Sequence, residues 1–124
     1  MDRTFFGIGA CLGFLGVALG AFGAHALKKM VAPEMLVIFE TGVRYQLIHA
    51  LALLATGWAC AQWPSQAAKV AGWLFLAGTV IFSGSLYALA LSGIKILGAI
   101  TPIGGLCFLA GWVSLAYAAW RSRP

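Results

Sequence analysis

The sequence predicts an all-α integral membrane protein, a four-helix bundle of antiparallel, up-and-down helices with a short interfacial segment between helices 1 and 2. Three observations predict it. The 124 residues are 62% hydrophobic and only 9% charged, whereas about a quarter of a soluble domain is charged. So few charges cannot hold so apolar a surface in water, and the bilayer is the natural solvent. The apolar residues also fall into four runs, about 5–27, 43–62, 70–91 and 96–120, each near the roughly 20 residues that cross a hydrocarbon core. Finally, the runs do not alternate in polarity as barrel strands would. Backbone groups in lipid must be satisfied within the segment, which a helix does. By length the chain is one transmembrane domain, residues 1–124.

Helix 1 carries the clearest spacing. Gly9, Gly13, Gly16, Gly20 and Gly23 fall at steps of four, three, four and three, which is one stripe at 3.6 residues per turn. Such a stripe lets another backbone come close, and close packing drives helix association in lipid. The expected partner is helix 4 of the same chain or another copy of it. The basic start, apolar run and Ala24-x-Ala26 ending also fit a cleavable signal, but the glycine stripe favours a retained packing helix. "GIGACLG" lacks the third glycine of GxGxxG and follows no strand, so a nucleotide-binding turn is excluded. His25 ends the run, where its ring can donate to the last carbonyls.

Between helices 1 and 2, Lys28 and Lys29 precede Pro33, a residue suited to the first position of a helix. "MLVIF" is too apolar for a free loop. It either lies flat at the interface or extends helix 2. Helix 2 then opens with polar side chains. Thr41, Tyr45, His49, Ala52 and Thr56 are spaced four, four, three and four apart and form one face, flanked by Gln46. Glu40 and Arg44 lie on another face, four apart, and can pair with each other; Arg44 is near the entrance, where its stem can snorkel toward head groups. His49, five residues deeper, is expected to face the bundle interior.

Pro64 and Ser65 break the chain before helix 3. Helix 3 offers a matching face, Thr79, Ser83 and Tyr87, each four apart. Two polar faces in lipid are expected to meet, with hydrogen bonds averaging only about 0.6 kcal/mol each. "SGIK" is so short a link that helices 3 and 4 must form an antiparallel hairpin. In helix 4, Thr101 and Pro102 precede Gly104 and Gly105. Pro102 removes a donor and disturbs the carbonyl four residues earlier, which predicts a kink. Pro and Gly in membrane helices serve packing more often than transport, although broken helices also expose carbonyls to ions or substrates.

These residues exclude several chemistries. The formal charge of +5 is spread at the edges of the apolar runs, with no basic stripe for nucleic acid; such edges suit anionic lipid head groups. Cys11, Cys60 and Cys107 are dispersed, so neither a disulfide framework nor a zinc site is expected. Two histidines without a sulfur pair make no metal set, and no cofactor is expected. No carboxylate pair serves acid–base catalysis, and no serine sits in an elbow motif. Lys and Arg set no orientation: Arg3, Lys69, Arg121 and Arg123 lie on one side, against Lys28, Lys29, Lys95 and, near the boundary, Arg44.

"GAFGAHAL" (20–27), "TGVRYQLIHALALL" (41–54), "FSGSLYALALSG" (82–93) and "LGAITPIGGLCFLAGW" (97–112) resemble the YgdD-like family of small bacterial inner-membrane proteins, to which small animal transmembrane proteins are related. The resemblance covers almost the whole chain in the same order. It implies a multi-pass, four-helix protein of the bacterial inner membrane and implies no reaction. The matching positions it singles out are His25, Tyr45, Gln46, His49, Ser83, Tyr87, Thr101 and Pro102. The expected function is that of a non-enzymatic bundle that packs with itself or with another membrane protein. The rival is a small oligomeric transporter or channel using the polar faces of helices 2 and 3 and the broken helix 4.

Overall fold

In a computed structural model, which describes residues 2–121, four helical spans account for nearly the whole chain. The first is α1 (Asp2–His25), continued by a 3-10 turn at Leu27–Lys29. The second is α2 (Pro33–Gln62), the third runs from α3 (Gln66–Gly78) through a π-helical turn (Thr79–Ser83) into α4 (Gly84–Ser92). The fourth is a 3-10 stretch (Lys95–Ala99) followed by α5 (Thr101–Arg121). Each span, of 27 to 30 residues, is long and apolar enough to cross a membrane. Arg123, counted above with the basic flanks, lies outside the described residues.

The helix ends follow local chemistry. Pro33 opens α2 after Ala32 in an extended conformation, because a first-turn residue needs no donor. Of the two readings of the apolar stretch after Pro33, the structure takes the continuous helix. α2 therefore begins ten residues before the expected position 43, and the interfacial segment shrinks to the turn between His25 and Pro33. Ser65 caps α3 by accepting from the Ala68 N–H at 3.2 Å. Gly93 ends α4 with φ of 74°, a left-handed conformation that suits glycine.

Two departures from regular helix were not both foreseen. The π turn at Thr79–Ser83 is invisible to a periodicity reading. The expected kink at Pro102 is instead a change of helix type. The 3-10 stretch ends at Ala99 and α5 starts at Thr101, which places Pro102 in the first turn, where its missing N–H costs nothing.

α2 and the third span occupy the centre. α1 lies along α2, and α5 lies along α3 and the π turn. Only 17% of the most apolar window is buried in the first and last spans, against 44% in the middle two, so the outer helices give most of their surface to lipid. The glycine stripe faces α2, not helix 4: Gly9 meets Ala50 and Leu53, Gly16 meets Leu47, Gly20 meets Val43 and Gly23 meets Phe39. The short α1–α2 link makes α2 the nearest partner, and α2 presents the bulky side chains that a glycine groove accepts. Two dry clusters form, one from Phe5, Leu53, Ala71, Phe75 and Phe108, the other from Leu27, Phe39, Val43 and Ala90.

Candidate functional site

Between those two dry clusters lies a polar layer. Its hub is Gln46 of α2, which is buried. The Tyr87 hydroxyl of α4 donates to Gln46 Oε1 at 2.6 Å, and Gln46 Nε2 donates to the Leu12 carbonyl of α1 at 2.9 Å. One amide thereby ties three spans together. Ser83, at the end of the π turn, donates to the Gly42 carbonyl at 2.7 Å. Gly42 is required there, because a Cβ would lie 2.7 Å from the Tyr87 ring.

His49, one turn deeper, faces the other way, toward α5. Trp112 Nε1 donates to His49 Nε2 at 3.1 Å, and His49 Nδ1 lies 2.8 Å from the Tyr45 carbonyl. An indole N–H only donates, and a carbonyl only accepts. The imidazole is therefore the neutral tautomer with its proton on Nδ1. Its face stacks on Phe108 with centroids 3.6 Å apart and planes 7° apart, and the Phe75 ring packs against it at 5.6 Å, tilted by 51°. Both nitrogens are engaged, so neither offers a lone pair to a metal. A third connection joins α4 to α5: the hydroxyls of Ser85 and Thr101 lie 2.5 Å apart. Ser85 donates to the Phe82 carbonyl, so Thr101 is the donor of the pair.

The expected meeting of two polar faces holds for part of them. Ser83 and Tyr87 do bond α2, but through Gly42 and Gln46. Thr79 returns its hydroxyl to Phe75 at 2.9 Å and Thr56 to Ala52 at 2.7 Å, each within its own helix. A helical threonine can satisfy itself in this way, so neither needs the other. Three expected interior residues lie elsewhere. Tyr45 is 37% exposed at the rim, with its ring on Phe82. Pro102 is exposed in the first turn of α5. His25 is exposed at the end of α1: Gly23 points at α2, and two residues further the helix surface has turned about 200° away.

Sequence reasoning missed Trp112, Phe108, Phe75 and Ser85. The signal for the first two was present: Phe108 and Trp112 are four apart on α5, interleaved with Gly104 and Gly111. Those glycines admit the third span closely, the Phe82 backbone beside Gly104 and the Phe75 ring beside Gly111.

Two grooves flank the layer. One, of about 410 Å³, runs between α1 and the third span above Gln46, Ser83 and Tyr87. The other, of about 520 Å³, lies between α2 and α5 and touches Tyr45, His49, Pro102 and Trp112. Leucine, phenylalanine and other apolar side chains form most of their walls. Among the described residues no buried side-chain polar atom lacks a hydrogen-bond partner, and no three His, Cys, Asp or Glu side chains gather as metal ligands would.

The comparisons with known proteins agree with this architecture. Residues 19–105 match a family described as "Protein of unknown function (DUF423)". The chain is 43% identical to UPF0382 inner membrane protein YgdD of Escherichia coli over 92% of its own length and 87% of that protein's. It is 42% identical to UPF0382 membrane protein YwdK of Bacillus subtilis, over 94% and 96% of the two chains. A UPF0382 membrane protein of Haemophilus influenzae is 40% identical over 99% and 98%. The chain belongs to this family. It is a multi-pass protein of the bacterial inner membrane, as the four spans and the relatives' names together show. No solved structure matches it.

Proposed function

We propose that this chain is a non-enzymatic membrane bundle that acts by lateral association, packing with itself or with another membrane protein. One observation carries the reading: most of the buried polar side chains are spent on bonds between spans, and among the described residues no buried side-chain polar atom is left over. Saturated hydrogen bonds rigidify a bundle and leave no acceptor or donor for a substrate. What is left for recognition is the outer surface, to which all four spans contribute. Cross-linking in native membranes, followed by native mass spectrometry from mild detergent, tests the reading. Cross-linked dimers or a stoichiometric partner are expected, and isolated monomers in both experiments would overturn it.

The groove touching both His49 and Pro102 favours a second reading, a small transporter assembled from several copies. Its walls are mainly apolar, which suits a bilayer-soluble molecule better than an ion. Liposome flux unchanged by His49→Ala would remove this reading.

A further inference from the structure

The outward side of α2 carries a feature that lipid alone does not suit. Val37, Glu40, Arg44, Ile48, Leu51, Ala55 and Trp58 are all exposed and recur at steps of three or four along one stripe. The stripe is apolar at both ends and holds an acid and a base in between. Glu40 lies seven residues and Arg44 eleven residues after Pro33, roughly 10 and 16 Å along the axis. α2 spans roughly 45 Å, more than the roughly 30 Å of hydrocarbon, so the two charges fall near the hydrocarbon boundary. Charged side chains within the hydrocarbon are rare and usually paired, and at its boundary they either snorkel to the head groups or find a partner.

We infer that this stripe is the contact between two copies of the chain, related by a twofold axis along the membrane normal, with Glu40 of each copy paired to Arg44 of the other. The inference rests on the lateral-association reading above and assigns its surface. Charge complementarity selects the second copy as the occupant. A twofold contact is self-complementary: if residue i meets residue j, then j meets i. About a normal axis the two α2 helices run parallel. Both side chains lean toward the N-terminus, and the arginine stem is the longer, so each Arg44 guanidinium can reach back one turn, roughly 6 Å, to the facing Glu40 carboxylate. Two identical ion pairs result, and the apolar positions above and below exclude water from them. Val37 meets its counterpart on one side of the pairs, and Ile48 and Leu51 meet theirs on the other.

The test measures energy transfer between donor- and acceptor-tagged full-length chains in liposomes, at a protein density where random proximity gives a known baseline. Wild-type chains are expected to transfer above it. Glu40→Arg alone places two positive residues at the contact, and Arg44→Glu alone two negative ones. Each is expected to weaken self-association at least tenfold. An equimolar mixture of the two single variants is expected to recover transfer, because each positive pair then faces a negative one. The E40R/R44E double variant is expected to recover it as well, which separates lost pairing from lost folding. Wild-type transfer that survives the single reversals, or single-variant losses that neither mixing nor the double variant restores, would overturn this surface while leaving lateral association standing. Wild-type transfer at the baseline would overturn self-association itself.

Discussion

α2 is held on two sides by different means. Toward α1 the glycines all belong to one helix and the large side chains that fill their groove to the other: Phe39, Val43 and Leu47, with the small Ala50 opposite Gly9 and Gly13. A side-chain hydrogen bond crosses that seam, from Gln46 to the Leu12 carbonyl. On the far side, both partners supply notches and rings. Tyr87 covers Gly42 of α2, while between α5 and the third span Phe108 covers Gly78, and Phe75 covers Gly111. Polar bonds add to this side, from Ser83, Tyr87 and Trp112. The difference separates two tasks. A glycine groove sets how close two helices come. Hydrogen bonds, with their narrow limits of length and angle, set which residue stands opposite which.

The largest effect is expected at Gly104. An added Cβ would lie 2.5 Å from the Phe82 backbone nitrogen and 2.8 Å from its Cα. Backbone cannot rotate aside, so α5 must move away from the π turn. Gly104→Ala is expected to cost about 3 kcal/mol, the upper part of the overpacking range. Equilibrium unfolding in mixed detergent micelles measures it. A loss below about 1 kcal/mol would mean that the α5 seam is as forgiving as a side-chain contact.

Next in size is the hub. Gln46→Leu removes two interhelical bonds and leaves the Tyr87 hydroxyl unpartnered, an expected loss of about 2 kcal/mol. Tyr87→Phe alone is expected to cost about 0.6 kcal/mol, and in the Gln46→Leu background to restore stability, since it removes the stranded hydroxyl. Equal, additive losses in a double-mutant cycle would show that the two side chains do not interact. Smaller again is Trp112→Phe, which takes the donor from His49 Nε2 and is expected to cost about 0.6 kcal/mol. Nitrogen NMR of the imidazole is expected to show Nδ1 protonated in the wild type, and a changed Nε2 signal in the variant.

The two sides of α2 also differed in how far the sequence disclosed them. The four spans and the glycine stripe follow from composition and a regular spacing, which survive translation into a straight helix. The stripe's partner did not follow, because spacing reports a face and not its neighbour. On the other side the spacing itself fails. The π turn at Thr79–Ser83 adds width to one turn, so a face drawn at 3.6 residues through Thr79, Ser83 and Tyr87 splits. Thr79 bonds its own helix, whereas Ser83 and Tyr87 reach α2. Gln46 was read as a flank of the polar face, yet it is the hub, because an amide can donate to one span and accept from another while hydroxyls and imidazole serve one seam each. Phe108 and Trp112 looked like ordinary apolar residues. Their role depends on His49 arriving from another helix, which no local pattern records.

The smallest effect separates positions within the glycine stripe itself. At Gly13 the nearest atom to an added Cβ is the Ala50 methyl, 4.0 Å away, an ordinary contact. Alanine is also the better helix former, by roughly 0.8 to 1 kcal/mol at exposed positions in water. Gly13→Ala is therefore expected to lie within about 0.5 kcal/mol of the wild type, on the stabilising side, since the helical gain shrinks where lipid already enforces the helix. At Gly16 the same methyl would lie 2.6 Å from Leu47 Cδ2 and 3.0 Å from its Cγ. The leucine can turn, but only by giving up its place in the groove, and a loss of about 1 kcal/mol is expected. The two variants differ by one methyl on one face of one helix, so propensity cancels between them and only the fit to α2 remains. Equal stabilities for the pair would mean that α1 shifts freely along α2, and the groove would then set distance without even a local preference for register.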